Sequence, residues 1–193
     1  MIEPAWAHLR LRDRIAPGLR ALFVGINPGV RSAETGHHFA GFSNRFWKLL
    51  SESQLVPEPI TYVDDGRLVE WGLGITNLIA RPTPGIGDLE PREYIDGWIA
   101  LDKKIRRYRP AVVALVGVTV YRAILPLLGD PAPLRRRSAA TPADSVLGLR
   151  PEIVHGARLF VLPNPSGRNA NFSYGEMLAA FKALGRYLRR QRR

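Results

Sequence analysis

Two short polar turns carry the residues best suited to chemistry. Asn27 lies in Gly25-Ile26-Asn27-Pro28-Gly29, directly behind the apolar run Ala21-Leu22-Phe23-Val24, so an amide stands where a strand breaks into a glycine-bounded turn. Asn164-Pro165-Ser166-Gly167-Arg168 follows Leu159-Phe160-Val161-Leu162 in the same way. Open α/β sheets place their chemistry at the carboxyl ends of strands, and two such turns on parallel neighbours share one edge. Asn-Pro and Pro-Gly are also ordinary turn formers, so the first turn alone is equally compatible with a bend that does nothing more. Further polar groups cluster nearby in sequence. Gly36-His37-His38-Phe39 and Ser43-Asn44-Arg45-Phe46-Trp47 set two imidazoles and an aromatic ring just ahead of a helix, and Thr83-Pro84-Gly85-Ile86-Gly87-Asp88 puts a carboxylate in a loop behind another strand end.

The elements that must position these residues are legible from periodicity. Four apolar or β-branched runs, Leu19 to Ile26, Leu73 to Leu78, Ala111 to Val116 and Leu159 to Leu162, alternate with helical patterns, which predicts a mostly parallel sheet covered on both faces. Ser43 is placed to cap a helix through about Gln54. Leu89 to about Tyr108 carries Ile95, Trp98, Ile99 and Ile105 at helical spacing as a core stripe, with Lys103, Lys104, Arg106 and Arg107 on the other face. Val118 to Leu128 reads as a further helix. Ser173-Tyr174-Gly175-Glu176 is a capping box opening a last helix with Leu178, Phe181, Leu184 and Leu188 in one stripe. Gly129 to Leu149, which includes Arg135-Arg136-Arg137, is rich in proline, alanine and arginine and reads as a mobile insertion; Arg189 to Arg193 reads as a basic tail.

Composition narrows the function classes. With 193 residues and an apolar fraction of 46%, the chain fits one compact domain, residues 1–193. Lys and Arg number 28 against 17 acidic residues, and the formal charge of +11 suggests a polyanionic partner, a solvated basic face being the plainer alternative. The absence of cysteine excludes disulfides, thiolate nucleophiles and zinc-thiolate sites. The adjacent His37 and His38 have no acidic partner at ligand spacing, so no metal is expected. No apolar run reaches the ~20 residues of a membrane span and no signal-peptide core opens the chain, so the expectation is a soluble, cytoplasmic protein, nucleoid-associated if bacterial.

Taken together, the turns resemble those of the mismatch-specific uracil-DNA glycosylases and thymine-DNA glycosylases, a branch of the uracil-DNA glycosylase superfamily. The resemblance is carried by Gly25 to Gly29; Gly36 to Phe39 with Asn44-Arg45-Phe46-Trp47; Gly74-Ile75-Thr76-Asn77-Leu78 with Arg81-Pro82-Thr83; Ala114-Leu115-Val116-Gly117; and Leu162-Pro163-Asn164-Pro165-Ser166-Gly167. It spans nearly the whole chain, the first and last stretches being its most specific part. It implies a three-layer α/β/α sandwich around a short, mainly parallel central sheet.

The resemblance further implies that Asn27 holds the attacking water. An amide orients water but lacks basicity, so catalysis would come from positioning and from stabilising the departing base. In the better-known uracil-specific branch an aspartate stands at the place of Asn27 and a histidine at that of Asn164, which implies slower turnover and looser base selection here. Ile26, His38, Phe39 and Asn77 are implied in the base pocket: Phe39 stacking on the extruded base, Asn77 bonding its polar edge, and His38 either contacting phosphate or ordering the pocket loop. Asn164, Pro165, Ser166, Gly167, Arg168 and Asn169 are implied at the DNA, with Arg168 at the place of the wedge residue. Asp88 is open between a catalytic carboxylate and the cap of the helix that follows it. The reading is a monofunctional glycosylase acting as a monomer on uracil- or lesion-containing duplex DNA, without cofactor. The alternative is a non-catalytic nucleic-acid-binding module on the same fold. A dinucleotide-dependent oxidoreductase fits poorly, because Gly25 to Gly29 is not the glycine fingerprint of a pyrophosphate site.

Overall fold

A computed structural model describes residues 4–128 and 146–191. Five strands, β1 (Ala21–Gly25), β2 (Leu73–Asn77), β3 (Val112–Val116), β4 (Gly148–Val154) and β5 (Ala157–Leu162), form one sheet in the order β2-β1-β3-β5-β4. All neighbours are parallel except β4, which runs antiparallel to β5 at the edge. Among the described residues, five α-helices accompany them: α1 (Val30–Thr35), α2 (Phe46–Glu52), α3 (Pro91–Tyr108), α4 (Val118–Ile124) and α5 (Tyr174–Arg190).

Alternation along the strands builds two cores. In β1, Ala21 and Phe23 join Phe46, Leu50, Phe181 and Leu184 beneath α2 and α5. Leu22 and Val24 point the opposite way, to Leu101, Ile105, Val120 and Ile124 beneath α3 and α4. Burial on both faces is why these strands read as unbroken apolar runs, and the result is the expected three-layer α/β/α sandwich. Each large side chain sealed in this way contributes about 1.5–3 kcal/mol. Among the described residues, no helix is long and apolar enough to cross a membrane.

Several local expectations change. The cap before α2 is not Ser43: the helix starts at Phe46, whose N–H is accepted by Asn44 Oδ1 at 3.0 Å. On α3, Ile95 and Ile99 are each 48% exposed, while Gly97, Leu101 and Ile105 are the buried residues. The helix lies so close to the end of β2 that a Cβ on Gly97 would sit 2.5 Å from Leu78 O, and this contact rotates the isoleucines outward. The Ser173 box holds, with Ser173 Oγ accepting Glu176 N–H at 3.3 Å and Glu176 Oε2 accepting Ser173 N–H at 2.6 Å. Met177, more than the half-buried Leu178, completes the α5 stripe. The segment read as an insertion ends in β4. The rest of it, residues 129–145 with the arginine triplet, lies outside the described residues, as do residues 192–193 of the basic tail. Arg189 and Arg190 close the last turn of α5.

Candidate functional site

β2 and β3 flank β1 on opposite sides, so the crevice outside the carboxyl ends of these strands is the switch point of the sheet. The turn after β1 and the loop after β2 are stitched together there. Leu78 N–H donates to Gly25 O and Ile79 N–H to Ile26 O, each at 2.8 Å, and Thr83 N–H donates to Pro28 O at 3.1 Å. Across the crevice, Arg45 N–H donates to Pro165 O at 2.9 Å, and a Cβ on Gly167 would meet Ser43 Oγ at 2.6 Å and Ser43 O at 2.7 Å. Glycine at 167 is what lets the turn after β5 lie on the segment leading into α2.

The cleft so formed has a volume of about 460 Å3 and is lined by Ile26, Asn27, His38, Phe39, Asn77, Thr83, Asn164, Ser166 and Arg168, among others. Asn27 is held hard. Its Nδ2 donates to Thr83 Oγ1 at 2.8 Å, to Arg81 O at 3.1 Å and to Pro28 O at 3.2 Å. Carbonyl oxygens only accept, so the nitrogen must be the atom facing them. Thr83, fully buried, donates its own hydroxyl proton to Gly85 O at 2.6 Å, which turns its lone pair toward Asn27. Asn27 Oδ1 has no hydrogen-bond partner among the described residues and remains as an acceptor at the cleft.

Phe39 has a left-handed backbone, φ 52°, a conformation that costs a non-glycine residue on the order of 1 kcal/mol and that clusters at functional sites. Its neighbours over-determine it. Trp47 Nε1 donates to His38 O and Ala40 N–H to Ser32 Oγ, both at 3.1 Å. The ring stacks on Phe46 at 4.2 Å between centroids and 23° between planes, and also lines the cleft.

His38 is buried, and its Nε2 lies 3.1 Å from Arg12 O, which can only accept. The proton is therefore on Nε2, and the Nδ1 lone pair faces Asn77 Nδ2 at 3.5 Å. Burial holds the imidazole pKa below its ordinary value, ahead of the opposing effects of the Arg12 hydrogen bond and of Asp65 and Asp13. The ring is neutral and buried, with its Nδ1 lone pair toward Asn77. Asn77 pairs with Gly25 in the sheet, and a Cβ on Gly25 would fall 2.6 Å from Asn77 Oδ1 and 3.3 Å from Phe39 Cζ.

Asp88 is exposed and does not line the cleft; its Oδ2 accepts Gly85 N–H at 3.1 Å within the 3-10 turn Ile86–Asp88. Nor does it cap α3, whose first turn is closed by Glu93 Oε2 accepting Glu90 N–H at 2.8 Å. In the turn after β5, Asn164 Oδ1 accepts Ser166 N–H at 3.0 Å and Asn169 Nδ2 donates to Asn164 O at 2.8 Å. These bonds curl the turn so that Asn164, Ser166 and Arg168 line the cleft, whereas Pro165, Gly167 and Asn169 support it from behind.

Two supports of the cleft have no counterpart in the sequence analysis. Thr83 stood in a matched stretch without a role. Asp65, buried 51 residues from its first partner, accepts Arg14 Nε at 3.0 Å, His37 Nδ1 at 3.1 Å and His38 N–H at 3.1 Å, and so anchors the histidine loop. No local signal marks either, because their partners are distant in sequence.

An open sheet with an amide-lined cleft at its switch point, closed by a proline-serine-glycine turn, defines a known class. The uracil DNA glycosylase superfamily model matches residues 13–189, and the chain belongs to that superfamily. Within it, the chain is similar to the G/U mismatch-specific uracil DNA glycosylase of Schizosaccharomyces pombe (strain 972 / ATCC 24843), with 38% identity over 164 residues that cover 83% of this chain and 48% of that protein. The chain thus spans about half the length of this curated relative.

Proposed function

We propose that the protein is a monofunctional DNA glycosylase that extrudes uracil, or a related damaged or mismatched base, and hydrolyses its N-glycosidic bond. The observation that carries this reading is the clamp on Asn27. With Nδ2 consumed by three acceptors, Oδ1 is a fixed acceptor that can hold a water for attack on the anomeric carbon. The extruded base would lie against Phe39. Asn77 offers Oδ1 to an imide N–H and its remaining Nδ2 hydrogen to a ring carbonyl, the pattern along the edge of uracil. Base departure leaves an oxocarbenium-like sugar and an anionic base, so stabilisation of the base by fixed dipoles replaces base catalysis. No lysine stands among the described residues lining the cleft, which supports hydrolysis without a Schiff-base lyase step. The relative's name, G/U mismatch-specific uracil DNA glycosylase, supports the substrate class.

The test is incubation with uracil-containing duplex. Strand scission at uracil should require subsequent alkali, and Asn27→Ala should lose base release while retaining DNA affinity. Binding without release by the unaltered protein would favour the non-catalytic module instead.

A further inference from the structure

Beside the catalytic cleft opens a second hollow of about 600 Å3, within the size range of small-molecule sites, which shares Arg31 and Phe39 with the cleft and is walled by Phe42, Trp47, Ile60 and Tyr62. Phe42 is 88% exposed, more than any other large apolar side chain among the described residues. Its ring is nevertheless held. The Arg31 guanidinium carbon lies 3.6 Å from the ring centroid, and Arg31 Nε donates to Ala40 O at 2.8 Å, so the arginine both covers one ring face and ties the loop to α1. The opposite face is left to solvent.

We propose that Phe42, backed by Arg31, is a second stacking platform that receives the nucleobase adjacent to the extruded nucleotide, so that the protein grips a locally unstacked pair of nucleotides. This rests on the base-excision reading above. The occupant follows from continuity and charge. The loop bearing Phe42 runs directly into the Ser43–Arg45 segment that seats the turn after β5, so the platform and the candidate wedge share one rim. Arg31 and Lys48 line the hollow. Its one carboxylate, Glu52, is engaged by Lys48 at 3.7 Å and by the Tyr174 hydroxyl at 2.9 Å, leaving the arginine for a phosphate. A flat ring with a cation behind it suits any base, because stacking is indifferent to sequence. An apolar peptide in the hollow would leave Arg31 without an anion.

The experiment uses a single-stranded oligonucleotide in which an uncleavable 2′-fluorinated deoxyuridine is flanked on one side or the other by fluorescent 2-aminopurine. The unaltered protein and Phe42→Trp should quench the probe on one flank only. Phe42→Ala should lose that quenching and bind about tenfold more weakly, consistent with the loss of one base–aromatic stack. Because Phe42 is exposed, the alanine variant keeps the fold. Unchanged affinity and quenching in Phe42→Ala overturn the platform. Base release from duplex by the unaltered protein is measured alongside: if it is absent while quenching depends on Phe42, the platform stands and the glycosylase reading fails.

Discussion

The 2.8 Å hydrogen bond from Asn27 Nδ2 to Thr83 Oγ1 couples the candidate catalytic amide to a buried hydroxyl 56 residues away. Thr83→Val keeps the shape of the side chain and deletes the acceptor. Arg81 O and Pro28 O still hold the nitrogen, but the donation to Gly85 O is lost as well, so stability should fall by about 2 kcal/mol, the usual worth of two hydrogen bonds. The amide gains freedom to rotate, however, and positioning is its proposed contribution; single-turnover base release should slow by roughly 10–100-fold with little change in DNA affinity. Thr83→Ser should restore most of the rate. A Thr83→Val enzyme as fast as the parent would show that the clamp is irrelevant to the reaction.

Asp88→Asn should leave base release within about twofold and melting nearly unmoved, since an exposed side chain that does not itself line the cleft rarely matters by more than ~0.5 kcal/mol and an asparagine oxygen can accept the Gly85 N–H as well. A collapse of activity with an unchanged melting temperature would return the carboxylate to the mechanism.

Strands buried on both faces were legible because the core imposes runs such as Leu22-Phe23-Val24 with no polar interruption. β4 was not. It is an edge strand that alternates half-buried and exposed residues, contains Pro151, and shifts register between Leu149 and Ile153, so nothing in it resembles an apolar run. The outward turn of Ile95 and Ile99 was equally hidden, because it depends on the close approach of Gly97 to the end of β2, a tertiary contact that periodicity does not encode. In the cleft, Asn27, Phe39 and Asn77 were legible as motif residues. Thr83, Asp65 and the direction of the Asn27 amide depend on hydrogen bonds between segments far apart in sequence.

His38 predicts a pH dependence with a definite sign. Its folded-state pKa lies below the ordinary value of about 6.5, so the unfolded chain binds the proton more readily. The stability it contributes is complete above about pH 6.5 and is lost as pH falls through the lowered folded-state value. Protonation also turns Nδ1 into a donor facing the Asn77 Nδ2 donor, which should disturb the base pocket. Melting curves from pH 8 to 5 should show the parent's advantage over His38→Gln shrinking as the solution is acidified. An advantage that does not vary with pH would mean that the ring is not held neutral by burial.

Gly25→Ala separates pocket geometry from fold. The added methyl would stand 2.6 Å from Asn77 Oδ1 and 3.3 Å from Phe39 Cζ, so it must displace the two groups proposed to meet the base. Overpacking of this kind costs about 1–3 kcal/mol, whereas a displaced recognition group should lower kcat/KM by on the order of 100-fold. The mechanism can be checked by non-additivity. If the methyl acts by moving Asn77, then Gly25→Ala combined with Asn77→Ala should release base no more slowly than Asn77→Ala alone, because the displaced group is already gone. Additive losses would locate the effect of the methyl elsewhere, in the Phe39 ring or the turn that carries Asn27, and Phe39→Ala in the same cycle distinguishes those two.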